Sequence, residues 1–217
     1  MVARMPYSCP RKRRTGRPRS VETDRAILDA ARAALVDLGW GRFTMGDVAA
    51  RAGVAKTTLY RRWANKNELV VDAVAVLFDE LELPDRGSLQ ADIEDVVLQF
   101  GRLLERPETK TALMAVVAES TADAALRERI RTAIVDRQMG LVILGRERAQ
   151  DRGELPPDPP DHDGARAAAE TVGLIFDVIA GTVVHRTLVS AEPVDTVWAR
   201  RLATVVLTGL AGLAGLG

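Results

Sequence analysis

The stretch that decides the fold is FTMGDVAARAGVAKTTLYRRW, Phe43–Trp63. Apolar residues recur at helical spacing on both sides of Gly53, which predicts two short helices joined by a tight turn at that glycine. Thr44 can cap the first helix, and Asp47 completes a Thr-x-x-Asp capping box. Alanines before the turn are small enough for the two helices to cross closely. The stretch therefore predicts a helix-turn-helix, which presents the N-terminal part of its second helix.

The second helix of this pair, expected to run from Lys56 to near Trp63, carries side chains that can read DNA. In a helix-turn-helix this region enters the major groove. There Lys and Arg can donate hydrogen bonds to guanine acceptors, and Thr can hydrogen-bond or contact the thymine methyl group. Tyr60 and Lys66 are better placed for the phosphate backbone, because Lys66 lies beside the N-terminus of the next helix. We expect the groove-facing residues to be Lys56, Thr57, Thr58, Arg61 and Arg62.

The distribution of charge separates DNA binding from the alternative of a plain helical hairpin with a solvated basic face. The 217-residue chain has no formal net charge, but residues 1–70 hold 15 Lys and Arg against 6 Asp and Glu, a net charge of +9. The remaining residues carry the compensating −9. Such an asymmetry indicates a polyanion-binding part joined to a body with another role.

Strand patterns are nearly absent, so the predicted fold class is all-α. Ser20 can cap a first helix that turns at Gly39, and Asn65 with Glu68 starts the helix that follows the helix-turn-helix. Further helices are expected near 89–105, 108–119, 123–151, 164–190 and 194–214. The predicted domains are a flexible basic arm at 1–19, a helix-turn-helix domain at 20–64 (the head) and an all-helical body at 65–217.

Residues 26–74, AILDAARAALVDLGWGRFTMGDVAARAGVAKTTLYRRWANKNELVVDAV, resemble the DNA-binding domain of the tetracycline-repressor (TetR) family of bacterial transcription regulators. The resemblance includes the Gly-Val turn, the following L-Y-x-x-aromatic segment and a Lys near the start of the next helix. RGELPPD and HRTLVSAEPVD, in the C-terminal half, are similar to one actinobacterial-type branch of the family.

The resemblance implies an all-α homodimer of about nine helices, in which a three-helix head is followed by a ligand-binding and dimerisation domain. It implies a ligand-responsive repressor that binds a palindromic operator and is released by an unknown small molecule in the body. The alternative is a constitutive or architectural DNA-binding protein whose body only dimerises. A closed body core would support this alternative, whereas a cavity of several hundred Å³ would favour the sensor, as for typical ligand pockets.

The residues carried over from the family are those of the helix-turn-helix. Thr44 is the helix cap and a phosphate contact, and the other DNA contacts are Lys56, Thr57, Thr58, Tyr60, Arg61 and Lys66. Ala55 stands where the family often has Ser. The second helix therefore lacks a side-chain cap, a loss of about 1 kcal/mol.

The segment TVGLIFDVIAGTVV, residues 171–184, is apolar nearly all round. Such a helix is usually buried on two sides, here by the domain core and by a partner subunit. Its small residues permit close helix approach, and the last helix is expected to join it in the dimer interface. The candidate interface residues are Gly173, Ala180, Gly181, Val184, Trp198 and Val205.

Asp177 interrupts this apolar run and shares a helix face with Gly181 and His185. One interpretation makes it a polar handle for a ligand or a member of a pH-sensitive pair. The other, which we favour, places it at the subunit seam, paired with an arginine such as Arg186, Arg200 or Arg201.

Apolar residues of the body could line a ligand cavity, although each could equally belong to the core. The candidate cavity residues are Phe78, Phe100, Met114, Val117, Met139, Val142 and Phe176, with Asp177 as the polar member.

Other classes of function find little support in the sequence. We find no nucleophile–base pair, phosphate-binding loop or carboxylate pair with a defined partner, so we expect neither catalytic residues nor a cofactor. Cys9 is the only cysteine, which excludes an internal disulfide, and no metal site is expected. No signal-peptide core is visible, and Leu202–Gly217 is a poor membrane span. We therefore expect a cytoplasmic bacterial protein without a membrane partner, located on the nucleoid when bound to DNA.

The segment RKRRTGRPRS, Arg11–Ser20, holds six Lys and Arg in ten residues and no large apolar side chain. It is either a solvated tail or an arm whose Arg17 and Arg19 follow the minor groove of A·T-rich DNA beside the major-groove contact. GRPR is similar to the Gly-Arg-Pro core of AT-hook peptides, although Thr15 stands where that motif has its first Arg.

Overall fold

The computed structural model of the protein describes residues 21–214. Within that range the chain forms nine helices and no strand, when each π-helical turn is counted with the helix it continues. The predicted all-α class is therefore confirmed. Ser20, expected to cap the first helix, and the arm residues Arg17 and Arg19 lie outside the described residues.

The helices before residue 121 are α1 Val21–Arg42, α2 Met45–Arg51, α3 Lys56–Tyr60, α4 Lys66–Phe78, α5 Leu89–Glu105 and α6 Pro107–Ser120. Helix α7 consists of Ala124–Ile130, a π-helical turn at Arg131–Val135, and Asp136–Asp151. Helix α8 consists of His162–Val184 and a π-helical turn at His185–Val189, and α9 spans Thr196–Ala214. The helices predicted after residue 88 agree with α5 to α9 to within two residues at each end.

The head forms around one core shared by α1, α2 and α3. Helix α1 turns at Gly39, as predicted, where the backbone has a φ of 70° that favours glycine. The side chains buried between the helices, each at most 2% exposed, are those of Ile27, Leu35, Phe43, Val48 and Leu59. Helix α4, the first helix of the body, packs on α1 and also on α6 and α7. The domain boundary after residue 64 stays a prediction, and the helix beyond it contacts both parts.

Helix α3 ends at Tyr60, earlier than the predicted end near Trp63. Beyond Tyr60 the chain leads into α4, whose N-cap Asn65 is extended, and Trp63, 5% exposed, packs in the core, where its indole Nε1 donates to Asp72 Oδ2 at 2.8 Å. Helix α4 then begins as predicted, because the Asn65 side-chain oxygen accepts a hydrogen bond from the backbone N–H of Glu68 at 2.9 Å.

In the body, α5 contacts α6, α7 and α8, and it packs along α9. Asp92, near the start of α5, is a fully buried carboxylate. Its Oδ1 accepts from the Arg86 backbone N–H at 2.7 Å, and its Oδ2 accepts from Arg152 Nη2 at 3.0 Å. Arg152 also pairs with Asp85 and Glu154. This network ties the loop before α5 to the end of α7.

Replacing Asp92 with alanine is expected to lower the free energy of unfolding by about 3 kcal/mol, because the Arg152 guanidinium and the Arg86 N–H lose their buried acceptor. The control is Asp95→Ala, one turn along α5, because Asp95 is partly exposed and pairs with an exposed Arg86 side chain. That change should cost no more than about 1 kcal/mol. Chemical denaturation followed by circular dichroism measures both, and equal losses would contradict the role given to Asp92.

Candidate DNA-binding surface and ligand cavity

The turn between α2 and α3 has the geometry that the helix-turn-helix prediction requires. Gly53 has a φ of 64°, and the Val54 N–H donates to the Ala49 carbonyl at 3.0 Å, which closes the turn. Leu59 of α3 is fully buried against the head core. Ala55 makes no side-chain hydrogen bond to the start of α3, as its missing hydroxyl predicts. The buried leucine fixes which face of α3 points outward.

The outward face of α3 presents most of the predicted DNA contacts. Lys56, Thr57, Tyr60 and Arg61 are exposed, with Tyr60 at 54%, and Thr58 is half-buried. These side chains carry the positive charges and hydroxyls that the DNA-binding prediction requires. Their contacts with DNA stay a prediction.

Thr44 is exposed and caps α2 as predicted. Its hydroxyl donates to Asp47 Oδ2 at 2.6 Å and accepts from the Asp47 N–H at 3.3 Å. The Asp47 carboxylate also accepts from the Thr44 N–H at 3.0 Å, so the capping box is complete. The hydrogen bond from the Thr44 hydroxyl lowers the pKa of Asp47 below its usual value. The capping box therefore stabilises the first turn of α2.

Lys56 lies close to α2, a contact that the sequence does not indicate. A β-carbon added to Gly46 would meet Lys56 Cε and Nζ at 3.0 Å each. Gly46 thus leaves room for the lysine to cross the first turn of α2. The lysine is exposed there, so its ammonium group remains available to an anionic partner.

Two predicted DNA contacts are engaged inside the protein. Arg62 forms an ion pair with Asp24 of α1, and its side chain is only 10% exposed. Lys66 donates to the Trp40 carbonyl at 3.4 Å and lies 4.4 Å from the Trp40 ring centroid, a cation–π contact. Arg62 therefore anchors the segment after α3 to α1, and Lys66 anchors the start of α4 to the last turn of α1, after Gly39. The structure does not present Arg62 as a free groove contact.

A cavity of about 330 Å³ lies in the body, with wall residues from α4 to α9. Five predicted cavity residues line it, and they are Phe78, Phe100, Val117, Val142 and Phe176. The Phe78 and Phe100 rings meet edge to face, with centroids 5.6 Å apart. Three others lie off the wall: Met114 and Asp177 are exposed, and Met139 is half-buried on another face of α7. Ala180, Gly181 and Val184, predicted for the dimer interface, also line the cavity.

The charged residues of the cavity wall are paired. Asp92 is bound to Arg152 and Arg86, as described above, and the hydrogen bond to Asp92 raises the pKa of Arg152. Arg146 pairs with Asp158, and its hydrogen bond lowers the pKa of that carboxyl. The cavity therefore offers a ligand an apolar wall without a free charge among the residues that line it.

Asp177 and His185 are both exposed on α8, so the structure does not place Asp177 in the cavity. Arg186, one proposed partner for Asp177, pairs with Glu192 at 2.7 Å and stacks on Trp198. Arg200 lies 3.7 Å from Glu94. The third proposed partner, Arg201, is exposed on α9. Unlike Arg186 and Arg200, it forms no ion pair with any described residue.

The faces of α8 and α9 that point away from the body carry apolar side chains. Leu174 is 50% exposed, Val197 56% and Val205 64%. Of the other predicted interface residues, Gly181 is exposed, and Gly173, Ala180, Val184 and Trp198 are half-buried.

Among the described residues, His162–Val189 is long and apolar enough to cross a membrane by length and composition alone. Helices of soluble proteins pass the same test, so this helix is weak support for a membrane segment.

Sequence reasoning missed several residues of the cavity wall, among them Asp92, Ile134, Gln138 and Arg146. Gln138 carries a side-chain oxygen that is buried without a hydrogen-bond partner. Ile130 and Ile134 precede Gln138 at intervals of four residues and line the same cavity, so this spacing is the signal that could have placed Gln138 on the inner face of α7. The π-helical turn at Arg131–Val135 shifts the helix face there, and a sequence gives no signal for such a turn.

Two family models match this chain. The model for bacterial regulatory proteins of the tetR family matches residues 27–73, which include α2 and α3. The model for the tetracyclin repressor-like C-terminal domain matches residues 83–206, more than half of the chain. The first covers the helix-turn-helix, and the second covers α5 to α8 and the first part of α9, which supply most of the cavity wall.

Relatives and solved structures agree with these matches. The DNA-binding transcriptional repressor TetR of Mycobacteroides abscessus is 31% identical over 84% of this chain and 90% of its own length. The HTH-type transcriptional regulator YdeS of Bacillus subtilis is 28% identical over 90% of this chain and 93% of its own length. The crystal structure of the TetR family transcription regulator SCO0332 superposes with a TM-score of 0.67 at 28% identity, covering 87% of this chain and 98% of that one.

Regulators of this family bind DNA, dimerise and bind small-molecule ligands, and they are soluble cytoplasmic proteins. The matched families are regulatory, and none of them is catalytic. The chain belongs to the TetR family of transcriptional regulators, with an N-terminal helix-turn-helix DNA-binding domain and an all-helical C-terminal ligand-binding domain.

Proposed function

We propose that this regulator is a homodimeric repressor that binds a palindromic operator and leaves it when a small molecule fills the body cavity. The observation that carries the ligand response is the apolar cavity of about 330 Å³. Its volume falls in the range of small-molecule sites, about 300–1,000 Å³. A regulator whose body only dimerised would need no such space, so the cavity favours the sensor over the constitutive alternative.

DNA binding rests on the outward face of α3. Lys56, Thr57 and Arg61 project from the helix that enters the major groove in helix-turn-helix proteins. Tyr60 and Thr44 are also exposed, and we assign them to phosphate oxygens. A two-fold dimer presents two such helices, so its operator has two inverted half-sites about one or more helical turns apart.

Dimerisation rests on the exposed apolar faces of α8 and α9. Leu174 and Val205 are at least half exposed in the single chain, and burying them against a second copy removes apolar surface from water. Gly181 of α8 is exposed and has no side chain, so it permits close approach of a partner helix. Asp177 and Arg201 on these faces are a candidate ion pair between subunits.

Helix α4 is the physical connection between the cavity and the head. At its C-terminal end, Phe78 lines the cavity, and its carbonyl accepts from Gln138 Nε2 of α7 at 3.0 Å. At its centre, Asp72 accepts from Arg129 of α7 at 2.7 Å and from Trp63 of the head at 2.8 Å. A ligand that displaces the α7 wall would therefore shift α4 and the end of α3 with it.

Operator titration tests the proposal. Light scattering of the complex should give two chains per palindromic duplex, and a compound that fills the cavity should dissociate it. A complex that stays intact when the cavity is occupied would support the constitutive alternative. One chain per duplex would contradict the proposed dimeric repressor.

Deleting residues 1–18 is expected to weaken operator binding and to lower its salt dependence, because we propose that Arg17 contacts the minor groove. Each lost phosphate contact lowers the slope of log affinity against log salt by about 0.9. Fluorescence anisotropy at several salt concentrations measures this slope for the full chain and the deletion. Base preference in the half-sites should stay the same. An unchanged slope would assign the segment to a solvated tail.

A further inference from the structure

One carboxylate of α4 is bonded to the head and to α7 at the same time. Asp72 Oδ2 accepts from the indole Nε1 of Trp63 at 2.8 Å, and Asp72 Oδ1 accepts from Arg129 Nη2 at 2.7 Å. Trp63 belongs to the head and is buried, whereas Arg129 belongs to the first segment of α7. The two hydrogen bonds therefore form a continuous chain of side chains from the head, through α4, to the body.

Both partners of Asp72 are joined to elements with a role in the regulator. The backbone N–H of Trp63 donates to the Leu59 carbonyl at 2.9 Å, which ties Trp63 to the last turn of α3. Arg129 directly precedes Ile130, which lines the cavity. Arg129 Nε has no hydrogen-bond partner among the described residues, so the guanidinium depends on Asp72. A change at either end of this chain of contacts is therefore transmitted through the Asp72 carboxylate.

A second ion pair joins the same two helices without reaching the head. Arg137 Nη1 of α7 lies 2.8 Å from both carboxylate oxygens of Asp79, the residue that ends α4. Like the Asp72 pair, it is partly exposed. Among the described residues, the Asp79 side chain pairs with Arg137 and has no hydrogen bond to the head. The two pairs differ in this one respect, which makes the second a matched control for the first.

We infer that Asp72 is a positioning residue for operator binding: it holds the head at one orientation on the body and thereby sets the half-site spacing that the dimer accepts. This inference rests on the proposed function, because it concerns a dimer on a palindromic operator. In such a dimer the orientation of each head sets the distance between the two α3 helices, and the half-site spacing follows from that distance. One added base pair moves a half-site by about 3.4 Å and rotates it by about 34°. A head held at one orientation therefore discriminates against the altered spacing.

Operators of altered spacing test the inference with the full chain. The duplexes are the palindrome that the chain selects from a random pool and two versions with one base pair added or removed between the half-sites. Fluorescence anisotropy gives the affinity ratio between the selected and altered spacings. We expect Arg129→Gln to lower this ratio about 5-fold, which corresponds to about 1 kcal/mol, the upper value for a partly exposed ion pair. Its affinity for a duplex with a single half-site should stay the same, because α3 is unchanged.

Two further variants locate the effect. Trp63→Phe keeps an aromatic ring in the core and removes the indole N–H, so it breaks the chain of contacts on the head side. It should lower the affinity ratio as Arg129→Gln does. The double variant should lower it no further than either single variant, because one broken bond already interrupts the chain. Arg137→Gln should keep the ratio of the unmodified chain. Circular dichroism checks the fold of Trp63→Phe, whereas Arg129→Gln alters a partly exposed side chain and gives an independent result.

The outcomes separate this inference from the proposed function. A chain that selects no palindrome would overturn the proposed function, and the inference with it. If the chain selects a palindrome but Arg129→Gln keeps the full preference for its spacing, the inference is wrong and the proposed function stands. An equal loss of preference in Arg137→Gln would also overturn the inference, because any contact between α4 and α7 would then suffice.

Discussion

Replacing Lys56 and Arg61 together with alanine is expected to reduce affinity for the operator by at least about 100-fold, because each base contact contributes about 1–3 kcal/mol of discrimination. Both side chains are exposed, Lys56 at the start of α3 and Arg61 directly after its end, and Leu59 between them is buried in the head core. The substitutions therefore remove DNA contacts without opening the core. The affinity of the variant should approach its affinity for random DNA of the same length. Fluorescence anisotropy with operator and random duplexes measures both values.

The matched control removes the same charge from another part of the head. Arg25 and Arg51 are exposed on α1 and α2, outside the proposed groove surface. Their double alanine variant should keep the preference for the operator and lose only a small, sequence-independent part of the affinity. If the control loses specificity as strongly as the α3 variant, the assignment of the recognition helix is wrong.

Replacing Leu174 with glutamate is expected to convert the dimer to a monomer and to lower operator affinity by about 100-fold or more. Leu174 is 50% exposed in the single chain, so the substitution leaves the fold of each subunit intact. It places a carboxylate in the apolar face that we propose is buried between subunits, where an unpaired charge is unfavourable. A monomer binds one half-site, so it loses the gain of about 10²–10⁴ that linked binding provides.

Analytical ultracentrifugation measures the mass of the variant, and anisotropy measures its operator affinity. Ile143→Glu is the control, since Ile143 is 45% exposed on α7 and lies outside the proposed interface. It should remain dimeric with unchanged affinity. A Leu174→Glu variant that stays dimeric would place the interface elsewhere.

The sequence was sufficient to predict the helices and the helix-turn-helix because their signals are local. Thr44 and Asp47 are three residues apart, and the caps and the turn glycines act within a few residues of one another. Side-chain periodicity then locates the buried face of each helix. The bounds of α5 to α9 follow from these signals alone.

Contacts between distant residues could not be predicted in this way. Arg62 carries the charge and the helix position of a DNA contact, but its partner Asp24 lies on another helix, 38 residues earlier. Lys66 likewise meets Trp40 across the head. Gln138 shares the inner face of α7 with Ile130 and Ile134, but that this face borders a cavity depends on how α7 packs against α4 and α5. In each case the tertiary packing decides the role, and no local pattern encodes it.

The central claim is that a two-fold dimer reads a palindromic operator through α3. Selection of duplexes from a random pool by the purified full chain tests this claim most directly. We predict an enriched palindrome whose half-sites are about one or more helical turns apart, and no enrichment when the Lys56→Ala, Arg61→Ala variant is used. Enrichment of a single, asymmetric half-site, or of the same palindrome by the variant, would contradict the claim.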